Sequence, residues 1–431
     1  MLNRSHDAAA SMSMTLAEKI LARAAGRECV RPGDIVTCQV DLAMMHDSSG
    51  PRRLAPKLEE LGVDVWDPGK AVVITDHFVG ESDAQSVQIQ ALTRDWAAQR
   101  RLRGYHEAQG ICHVVLPERG HLRPGMFVVG GDSHSTTGGA FGCFMTGLGA
   151  TDMAGVLATG SAWMRVPETL RVRVDGILGE GVAAKDVILF LCHEIGINGA
   201  GYMAAEYTGS GVTAMAMDER MVLANMAVEL GAKCGIVAPD DTTCDWLAGV
   251  GVDVNDAHDW QSDGDAAIAR EITIDATGLT PQVAAPHSPE NSAPVDTHTG
   301  TAIDQAYIGA CTGAKLDDLR MVARIVDGRR VADGVRFFVA PASVRIADQA
   351  EREGTLESLR ASGATILHSA CGACIGLGPA RLGAGEVGIS SSSRNFQGRM
   401  GDPSSQTYLS SPYTVAASAL AGCIADPRAY L

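Results

Sequence analysis

Apolar and polar positions along the first third of the chain predict alternating helices and strands. The segment TLAEKILARAAG has apolar residues at helical spacing and ends at Gly26, so it predicts an amphipathic helix. A second helix, AQSVQIQALTRDWAAQRRL, is expected to begin after Ser82, whose hydroxyl can cap the first backbone amides. Four apolar runs predict buried strands: DIVTCQVDL, AVVITDH, GICHVVLPE and MFVVGGDSHS. Helices mixed with buried strands in this way indicate α/β layers.

The same pattern begins again twice along the chain, which predicts three α/β units. A second unit starts with the strand TLRVRVDG and the helix AKDVILFLCHEIG. A third contains the strands QAYIGA, VRFFVAP, ATILHSA and EVGISS. Between them, APHSPENSAPVD is rich in proline and serine and predicts a linker. We expect a flexible tail at 1–13, α/β domains at 14–165, 166–284 and 299–431, and the linker at 285–298.

Composition and charge narrow the class of protein. The 431 residues are 46% hydrophobic and 20% charged, as in a soluble globular protein with a large core. The formal net charge of −16 opposes nucleic-acid binding, because an acidic surface repels phosphates. The 11 cysteines are an odd number, and the first residues contain no secretory apolar segment, so we expect no disulfide framework. No apolar run predicts a membrane span, and we expect a cytoplasmic protein.

Chemically capable side chains follow the carboxyl ends of the predicted strands. Ligands of α/β sheets bind beyond these ends, so several loops are expected to meet at one cleft. Polar residues also occur in ordinary loops, so no single motif establishes that a loop belongs to a ligand-binding cleft. The residues placed in this way are Asp47, Asp76, His77, Asp132, Ser133, His134, Cys311, Cys371 and Arg394, with His113 early in the third predicted strand.

The segment HSACGACIG contains a C-x-x-C motif formed by Cys371 and Cys374. This spacing lets two thiolates bind one metal centre, but redox pairs and halves of zinc sites share it. The glycine-rich stretch that follows is a poor helix start for a redox pair, and the sequence has no second C-x-x-C for a four-cysteine zinc site. Cys311 follows a predicted strand of the same unit. Three thiolates would suit an iron–sulfur cluster in which one iron stays open to a ligand.

Carboxylates stand next to imidazoles in two further motifs, Asp76–His77 and Asp132–Ser133–His134. A carboxylate that orients a histidine tunes that histidine as a general acid or base. Neighbours on a strand point to opposite faces of the sheet, so adjacency in the sequence alone is weak support.

The segment SSSRNFQGRMG places Arg394 and Arg399 in a loop rich in glycine and serine. Guanidinium groups bind carboxylates through paired hydrogen bonds. In an otherwise acidic protein, two arginines in such a loop predict a local pocket for a di- or tricarboxylate, although a solvated surface loop would look the same.

As a set, these motifs resemble the aconitase superfamily, and most closely the large subunits of 3-isopropylmalate dehydratase-type hydro-lyases. The resemblance covers nearly the whole chain from about Met14. It implies three α/β domains, similar to aconitase domains 1–3, around a cluster-binding cleft and without the family's swivel domain. The segments that carry it are GDSHSTTGGAFG, IGACTGAKLDDLR, CGACIG, SSSRNFQGRMG and YLSSPYTVAASALAG.

The resemblance implies a cofactor and roles for individual residues. The cofactor is a [4Fe–4S] cluster with one labile iron, and its implied ligands are Cys311, Cys371 and Cys374. The implied catalytic residues are Asp76 with His77, which protonate the departing hydroxyl, Asp132 with His113 as a second pair, and Glu206 in AAEYTG as the active-site glutamate. The implied substrate-binding residues are His46, Asp47, Ser49, Ser133, His134, Asn225, Arg394 and Arg399.

The implied reaction is the reversible removal of water from a 2-hydroxy di- or tricarboxylate. The open iron would bind the hydroxyl and a carboxylate, while a base removes a proton beside a second carboxylate. In the family this base is a serine of the swivel domain, and a chain that ends at Leu431 has no room for that domain. We therefore expect a heterodimer with a separate small subunit, similar to the isopropylmalate dehydratase small subunit, and an inactive isolated chain.

Three positions depart from the family pattern: Gly313 and Ser393 replace asparagines, and Gln397 replaces a glutamate. Because asparagines near a cluster can hold substrate or cluster sulfur, these changes leave the substrate open. Homoaconitase activity, or a hydratase for maleate, citraconate or 2,3-dimethylmalate, is an alternative to the isopropylmalate reaction. Two hypotheses of other classes are an RNA-binding regulator, which the net charge opposes, and a zinc or thiol oxidoreductase that uses Cys371 and Cys374.

Overall fold

The computed structural model describes residues 13–431, so the expected tail at 1–13 lies, except for Ser13, outside the described residues. Each of the three α/β units predicted from the sequence contains one mainly or wholly parallel sheet. The sheets have five, four and seven strands in chain order.

The first unit has a parallel sheet of five strands and a separate antiparallel ribbon. The sheet consists of β2 (Leu42–His46), β3 (Ala71–Thr75), β4 (Gly104–Glu107), β5 (Phe127–Gly130) and β6 (Phe144–Gly147). The ribbon pairs β1 (Ile35–Gln39) with β7 (Ser161–Arg165). The strand order in the sheet is β4-β3-β2-β5-β6, which leaves β2, β3 and β5 adjacent at the centre. The apolar run DIVTCQVDL, predicted as one strand, contains all of β1 and the first residue of β2.

Five helices cover the first sheet: α1 (Leu16–Ala24), α2 (Pro51–Leu61), α3 (Ala84–Gln99), α4 (Cys112–Glu118) and α5 (Ala150–Thr159). Helix α1 begins with a capping box, in which Thr15 and Glu18 satisfy each other's backbone amides. Helix α3 is capped by Asp83, one residue after the predicted Ser82. The segment GICHVVLPE forms α4 and not a strand, because a short, fully buried apolar run has no periodicity that separates the two.

The second unit has a parallel sheet of four strands, with the order β10-β9-β8-β11. The strands are β8 (Thr169–Asp175), β9 (Ala204–Thr208), β10 (Cys234–Val237) and β11 (Arg270–Asp275). The helices are α6 (Ala184–Ile195), α7 (Ser210–Ala214), α8 (Met217–Met226) and α9 (Asp241–Ala248). Helix α8 continues as a 3₁₀ turn, Ala227–Leu230, that ends at the left-handed Gly231.

The third unit contains the largest sheet. Its strands are β12 (Gln282–Ala284), β13 (Ser292–Pro294), β14 (Gln305–Ile308), β15 (Arg336–Val339), β16 (Thr365–Ile366), β17 (Val387–Ser390) and β18 (Gln406–Ser410). Its helices are α10 (Leu316–Val326), α11 (Val344–Arg352), α12 (Thr355–Ser362) and α13 (Pro412–Ala421). The expected linker at 285–298 contains β13, which pairs with β12 at the antiparallel edge of this sheet.

One apolar cluster extends through all three units and fixes their arrangement around the site. Val115 of α4, Met221 of α8 and Val415 of α13 belong to it, and none is more than 1% exposed. Interiors of this kind are close-packed, so the loops that the units carry are held in register with one another. No helix in the described residues is both long and apolar enough to cross a membrane.

Candidate active site

A cavity of about 390 Å³ lies where loops of the first and third units meet. These loops follow β2, β3 and β5 of the first sheet and β14, β16 and β17 of the third. The meeting of strand ends agrees with the cleft expected from the sequence. Of the predicted site residues, the following line the cavity: His77, His113, Asp132, His134, Cys311, Cys371, Cys374, Arg394 and Arg399.

Cys311, Cys371 and Cys374 share one wall of this cavity. Cys311 follows β14, and the other two flank a short 3₁₀ turn, Gly372–Ile375, after β16. All three are free thiols. Burial, reinforced by Cys374, raises the pKa of the Cys311 thiol to about 12, and burial and Asp76 raise that of Cys371 well above its usual range. Thiols so placed bind as thiolates only when a metal supplies positive charge.

Asn225 of α8 supports Cys311 from the second unit. Its Nδ2 donates to Cys311 Sγ at 3.1 Å and to Thr137 Oγ1 at 2.7 Å. Asn225, predicted to bind substrate, therefore lies beside a cysteine and does not line the cavity. Its amide links a cysteine of the third unit to a loop of the first.

Asp76 and His77 form a buried pair at the end of β3. The two residues are neighbours in sequence, yet His77 Nδ1 lies 2.6 Å from Asp76 Oδ1, because the strand has ended and the chain turns. Burial opposes the charge on His77, but Asp76 outweighs it and raises the pKa of His77 to about 9. Burial also opposes ionisation of Asp76, but His77 and the Cys112 amide hold its pKa below its usual range. The pair therefore exists as imidazolium and carboxylate at neutral pH.

His46, Asp47 and Ser49 lie behind this pair. The Asp47 carboxylate accepts from the backbone N–H groups of His77 and Phe78, both at 3.1 Å, and so fixes the turn after β3. The His46 ring stacks on the His77 ring with centroids 4.0 Å apart. Ser49 N donates to His46 Nδ1 at 3.4 Å. Asp47 and His46 therefore orient His77. None of the three residues lines the cavity, whereas the neighbouring Ser48 does.

A second histidine–carboxylate pair joins α4 to the loop after β5. His113 Nε2 lies 2.8 Å from Asp132 Oδ1, which also accepts from His134 N at 2.8 Å. Burial opposes ionisation of Asp132, but His113 and His134 hold its pKa well below its usual range. The helical fold of α4 is what directs His113 toward Asp132.

Glu229, which the sequence analysis missed, connects two predicted substrate-binding residues. Its Oε1 accepts from Arg394 Nε at 2.7 Å and lies 3.0 Å from His134 Nε2. Arg394 Nη1 donates to Ser133 Oγ at 3.1 Å. Burial raises the pKa of Glu229, but His134 and Arg394 outweigh it and keep the group ionised. The sequence offered one indication of Glu229. In the segment NMAVEL it follows Asn225, a predicted site residue, by one helical turn, so the two can lie on the same face.

Glu206, predicted as the active-site glutamate, is not brought to the cavity. It lies on β9, where Ser262 Oγ donates to its Oε2 at 2.9 Å and Arg171 Nη2 is 3.8 Å away. None of these residues lines the cavity. A side chain in the middle of a central strand faces the layers that cover the sheet and not the loops at its end. The structure therefore places Glu229, and not Glu206, beside predicted substrate-binding residues.

The three departures from the family pattern have distinct surroundings. A side chain at Gly313 would overlap Ser391, whose hydroxyl accepts from Gly309 N at 3.1 Å, so the two residues fit only as a pair. Ser393 lines the cavity with a buried hydroxyl that has no partner among the described residues. Gln397 is exposed and donates to Pro403 O at 3.2 Å, away from the cavity.

Unpartnered polar atoms identify the part of the cavity that is built for a ligand. Arg399 Nε and Ser393 Oγ are buried without hydrogen-bond partners in the described residues. Buried polar groups are normally satisfied, so these atoms point to a polar ligand. The two histidine–carboxylate groups also have metal-ligand chemistry, but their atoms already pair with each other. The three free thiols that line the cavity are soft donors that could hold a metal centre.

The comparisons with known proteins agree with this geometry. A sequence profile of the Aconitase family (aconitate hydratase) matches residues 18–422. The chain is 46% identical to the 3-isopropylmalate dehydratase large subunit 1 of Methanopyrus kandleri, with 97% of this chain and 100% of the relative covered. It is 43% identical to a probable methanogen homoaconitase large subunit of Methanothermobacter thermautotrophicus, with 97% and 98% covered.

A solved structure of similar fold is the aconitase X of Thermococcus kodakaraensis, with a TM-score of 0.51 and 12% identity over 83% of this chain and 84% of that one. The predicted α/β fold class and hydro-lyase enzyme class are confirmed. The family match spans the loops that carry the three thiols, both histidine–carboxylate pairs and both arginines, and the chain belongs to the aconitase family.

Proposed function

We propose that this chain is the iron–sulfur-binding large subunit of a hydro-lyase of the 3-isopropylmalate dehydratase type. The observation that carries the proposal is the convergence of free thiols, histidine–carboxylate pairs and arginines on one cavity. Relatives named as large subunits of that enzyme, 40% to 46% identical, support this reaction type and a place in leucine biosynthesis.

The cysteine wall fits an iron–sulfur cluster. Cys311, Cys371 and Cys374 are buried or half-buried free thiols that line one cavity, and Asn225 donates to one of the sulfur atoms. Three thiolates leave one iron of a [4Fe–4S] cluster without a protein ligand. When bound, such a cluster would supply a Lewis acid for the substrate hydroxyl.

His77 is the proton donor to the departing hydroxyl. Its Nδ1 is held by Asp76, which leaves Nε2 to carry the proton that is transferred. Because its pKa is raised to about 9, the ring is protonated at neutral pH and can protonate the hydroxyl as the carbon–oxygen bond breaks. Asp47 holds the turn that aims the ring.

His113 and Asp132 form the second pair and face the same cavity. Asp132 stays ionised and fixes the His113 ring through Nε2, while the N–H of His134 fixes Asp132. We assign this pair to orienting the substrate hydroxyl and the water that leaves.

Arg394 and Arg399 bind the substrate carboxylates. Glu229 and Ser133 hold Arg394 at Nε and Nη1, so its remaining N–H groups have a fixed direction. Arg399 has a buried Nε without a partner, which a carboxylate oxygen would satisfy. The hydroxyl of Ser393 would serve the same ligand.

The apolar part of the cavity favours a diacid that carries an aliphatic substituent. Phe78, Ile111, Ile375 and Leu377 form this part of the lining. A third carboxylate, as in a homoaconitase substrate, would need a further cation, and maleate would leave the apolar surface uncovered. We therefore expect lower activity with homoaconitase-type substrates, maleate, citraconate and 2,3-dimethylmalate than with 3-isopropylmalate.

The proton-abstracting base belongs to a separate small subunit in this proposal. The cavity contains acids, thiols and arginines, but its lining includes no residue that the family resemblance assigns as the base. Relatives that match along their whole length are named as large subunits, which supports a heterodimer.

Metal analysis tests the cofactor and thereby the reaction type. The chain is reconstituted anaerobically with iron and sulfide, next to a variant with Cys311→Ser, Cys371→Ser and Cys374→Ser. We expect iron and acid-labile sulfide in the wild-type chain and neither in the variant. Zinc without iron or sulfide would contradict the proposal and favour the thiol or zinc oxidoreductase.

A further inference from the structure

Lys185 is a buried cation behind the cysteine wall. It lies on α6 of the second unit and is 1% exposed. Its Nζ donates to the backbone oxygens of Ser392 at 2.6 Å and Ser391 at 3.1 Å, and to Thr312 Oγ1 at 3.4 Å. Thr312 follows Cys311 directly, so one ammonium group connects the segment before Arg394 with a cysteine loop.

The charge of Lys185 has no carboxylate partner in the described part of the chain. All three of its acceptors are neutral oxygens. Lys315, equally buried, differs, because its Nζ lies 2.6 Å from Asp318 Oδ2. A buried ammonium group without a counter-charge is costly. Burial lowers the pKa of Lys185 to about 8, and negative charge at Cys311 and Cys374 favours its charged form.

We infer that Lys185 is a positioning residue whose positive charge balances an iron–sulfur cluster on Cys311, Cys371 and Cys374, an inference that rests on the proposed function. A cluster core held by three thiolates has a net negative charge, and reduction adds one electron to it. A nearby ammonium group therefore stabilises the reduced cluster relative to the oxidised one.

The test compares reconstituted wild-type chain with Lys185→Gln, Lys185→Met and Lys185→Arg. Gln keeps hydrogen-bond donors without the charge, Met removes both, and Arg keeps the charge. The readout is the midpoint potential of the cluster, from a redox titration followed by electron paramagnetic resonance. Lys233→Gln is the matched control, because Lys233 packs on Tyr202 and lies outside the site.

We expect both neutral variants to have a lower midpoint potential, with Arg close to wild type and the Lys233 variant unchanged. The expected shift is roughly tenfold in the ratio of oxidised to reduced cluster, as for one charge at about 10 Å and an effective dielectric constant of about 20. Neutral variants that match wild type would overturn the inference. So would neutral variants that fail to fold by circular dichroism, since Lys185 would then serve the fold itself. A wild-type chain that forms no cluster would instead overturn the proposed function and this inference with it.

Discussion

At the scale of single residues, Glu229 determines how Arg394 is presented to a ligand. One carboxylate oxygen receives the Arg394 Nε–H and faces His134, so the guanidinium is fixed before substrate arrives. Preorganised groups bind with a smaller loss of conformational freedom. The role therefore depends on the charge of Glu229 and not on its size.

Glu229→Gln should lower kcat/KM of the assembled enzyme by about 10- to 100-fold, the loss expected when a charged hydrogen bond is weakened. Glu206→Gln is the matched control, because Glu206 contacts Ser262 and Arg171 away from the cavity, and it should stay within about twofold of wild type. Steady-state kinetics of both variants provide the comparison. The reverse ranking would support the prediction that Glu206 is the active-site glutamate.

His77→Asn should lower kcat for dehydration by about 10²- to 10⁴-fold, because the variant loses the proposed proton donor. Iron and sulfide content should match wild type, since His77 is not a proposed cluster ligand. A variant with wild-type kcat and wild-type iron and sulfide content would show that His77 is not the proton donor.

The pH profile gives a second test of His77. The pKa of His77 is raised to about 9, so the donor is protonated below that pH and loses its proton as the pH rises through it. The dehydration rate constant of the wild-type enzyme should therefore stay level at neutral pH and fall above about pH 9. A rate constant that rises through this range would indicate that neutral His77 is the active form.

The contacts in the site that could be predicted from the sequence are those between residues close together in the chain. Asp76 with His77, and Asp132 with His134, stand in short polar motifs directly after apolar strands. Glu229 was missed because its partners are distant in sequence: Arg394 is 165 residues away. Contacts at that separation depend on how two sheets pack, and no local pattern records them.

At the scale of elements, strands at sheet centres were predictable and buried short segments were not. Strands β3 and β5 are apolar runs followed by polar loops, and both are present as predicted. Helix α4 was predicted as a strand, because its six leading residues, Cys112 to Pro117, are all buried and show no alternation. This matters for function, since the helical turn directs His113 toward Asp132.

The loop after β14 and the segment after β17 fit each other through Gly313 and Ser391. Gly313→Ala should destabilise the chain by about 1–3 kcal/mol, because the added methyl group overlaps the Ser391 side chain. Urea unfolding of the apo chain measures this loss. Adding Ser391→Gly should recover part of it, and a single variant as stable as wild type would show that the two segments separate easily.

At the scale of the whole molecule, the site depends on contacts among three units. Asn225 of the second unit donates to Cys311 of the third, and His134 of the first faces Glu229 of the second. The three α/β units were predictable from the repeated helix–strand pattern. The segment at 285–298 was not, because its prolines and serines hide the strand β13.

The most direct test of the account is the water-elimination activity of the reconstituted chain with and without its small subunit. The unsaturated diacid is measured by its absorbance. The absorbance rises when 3-isopropylmalate, a homoaconitase-type substrate or 2,3-dimethylmalate loses water, and it falls when maleate or citraconate is hydrated. We predict no activity from the chain alone, activity with the small subunit that is highest for an aliphatic-substituted diacid, and complete loss with Cys311→Ser. Full activity of the isolated chain, or activity that survives removal of the cysteine ligands, would contradict the account.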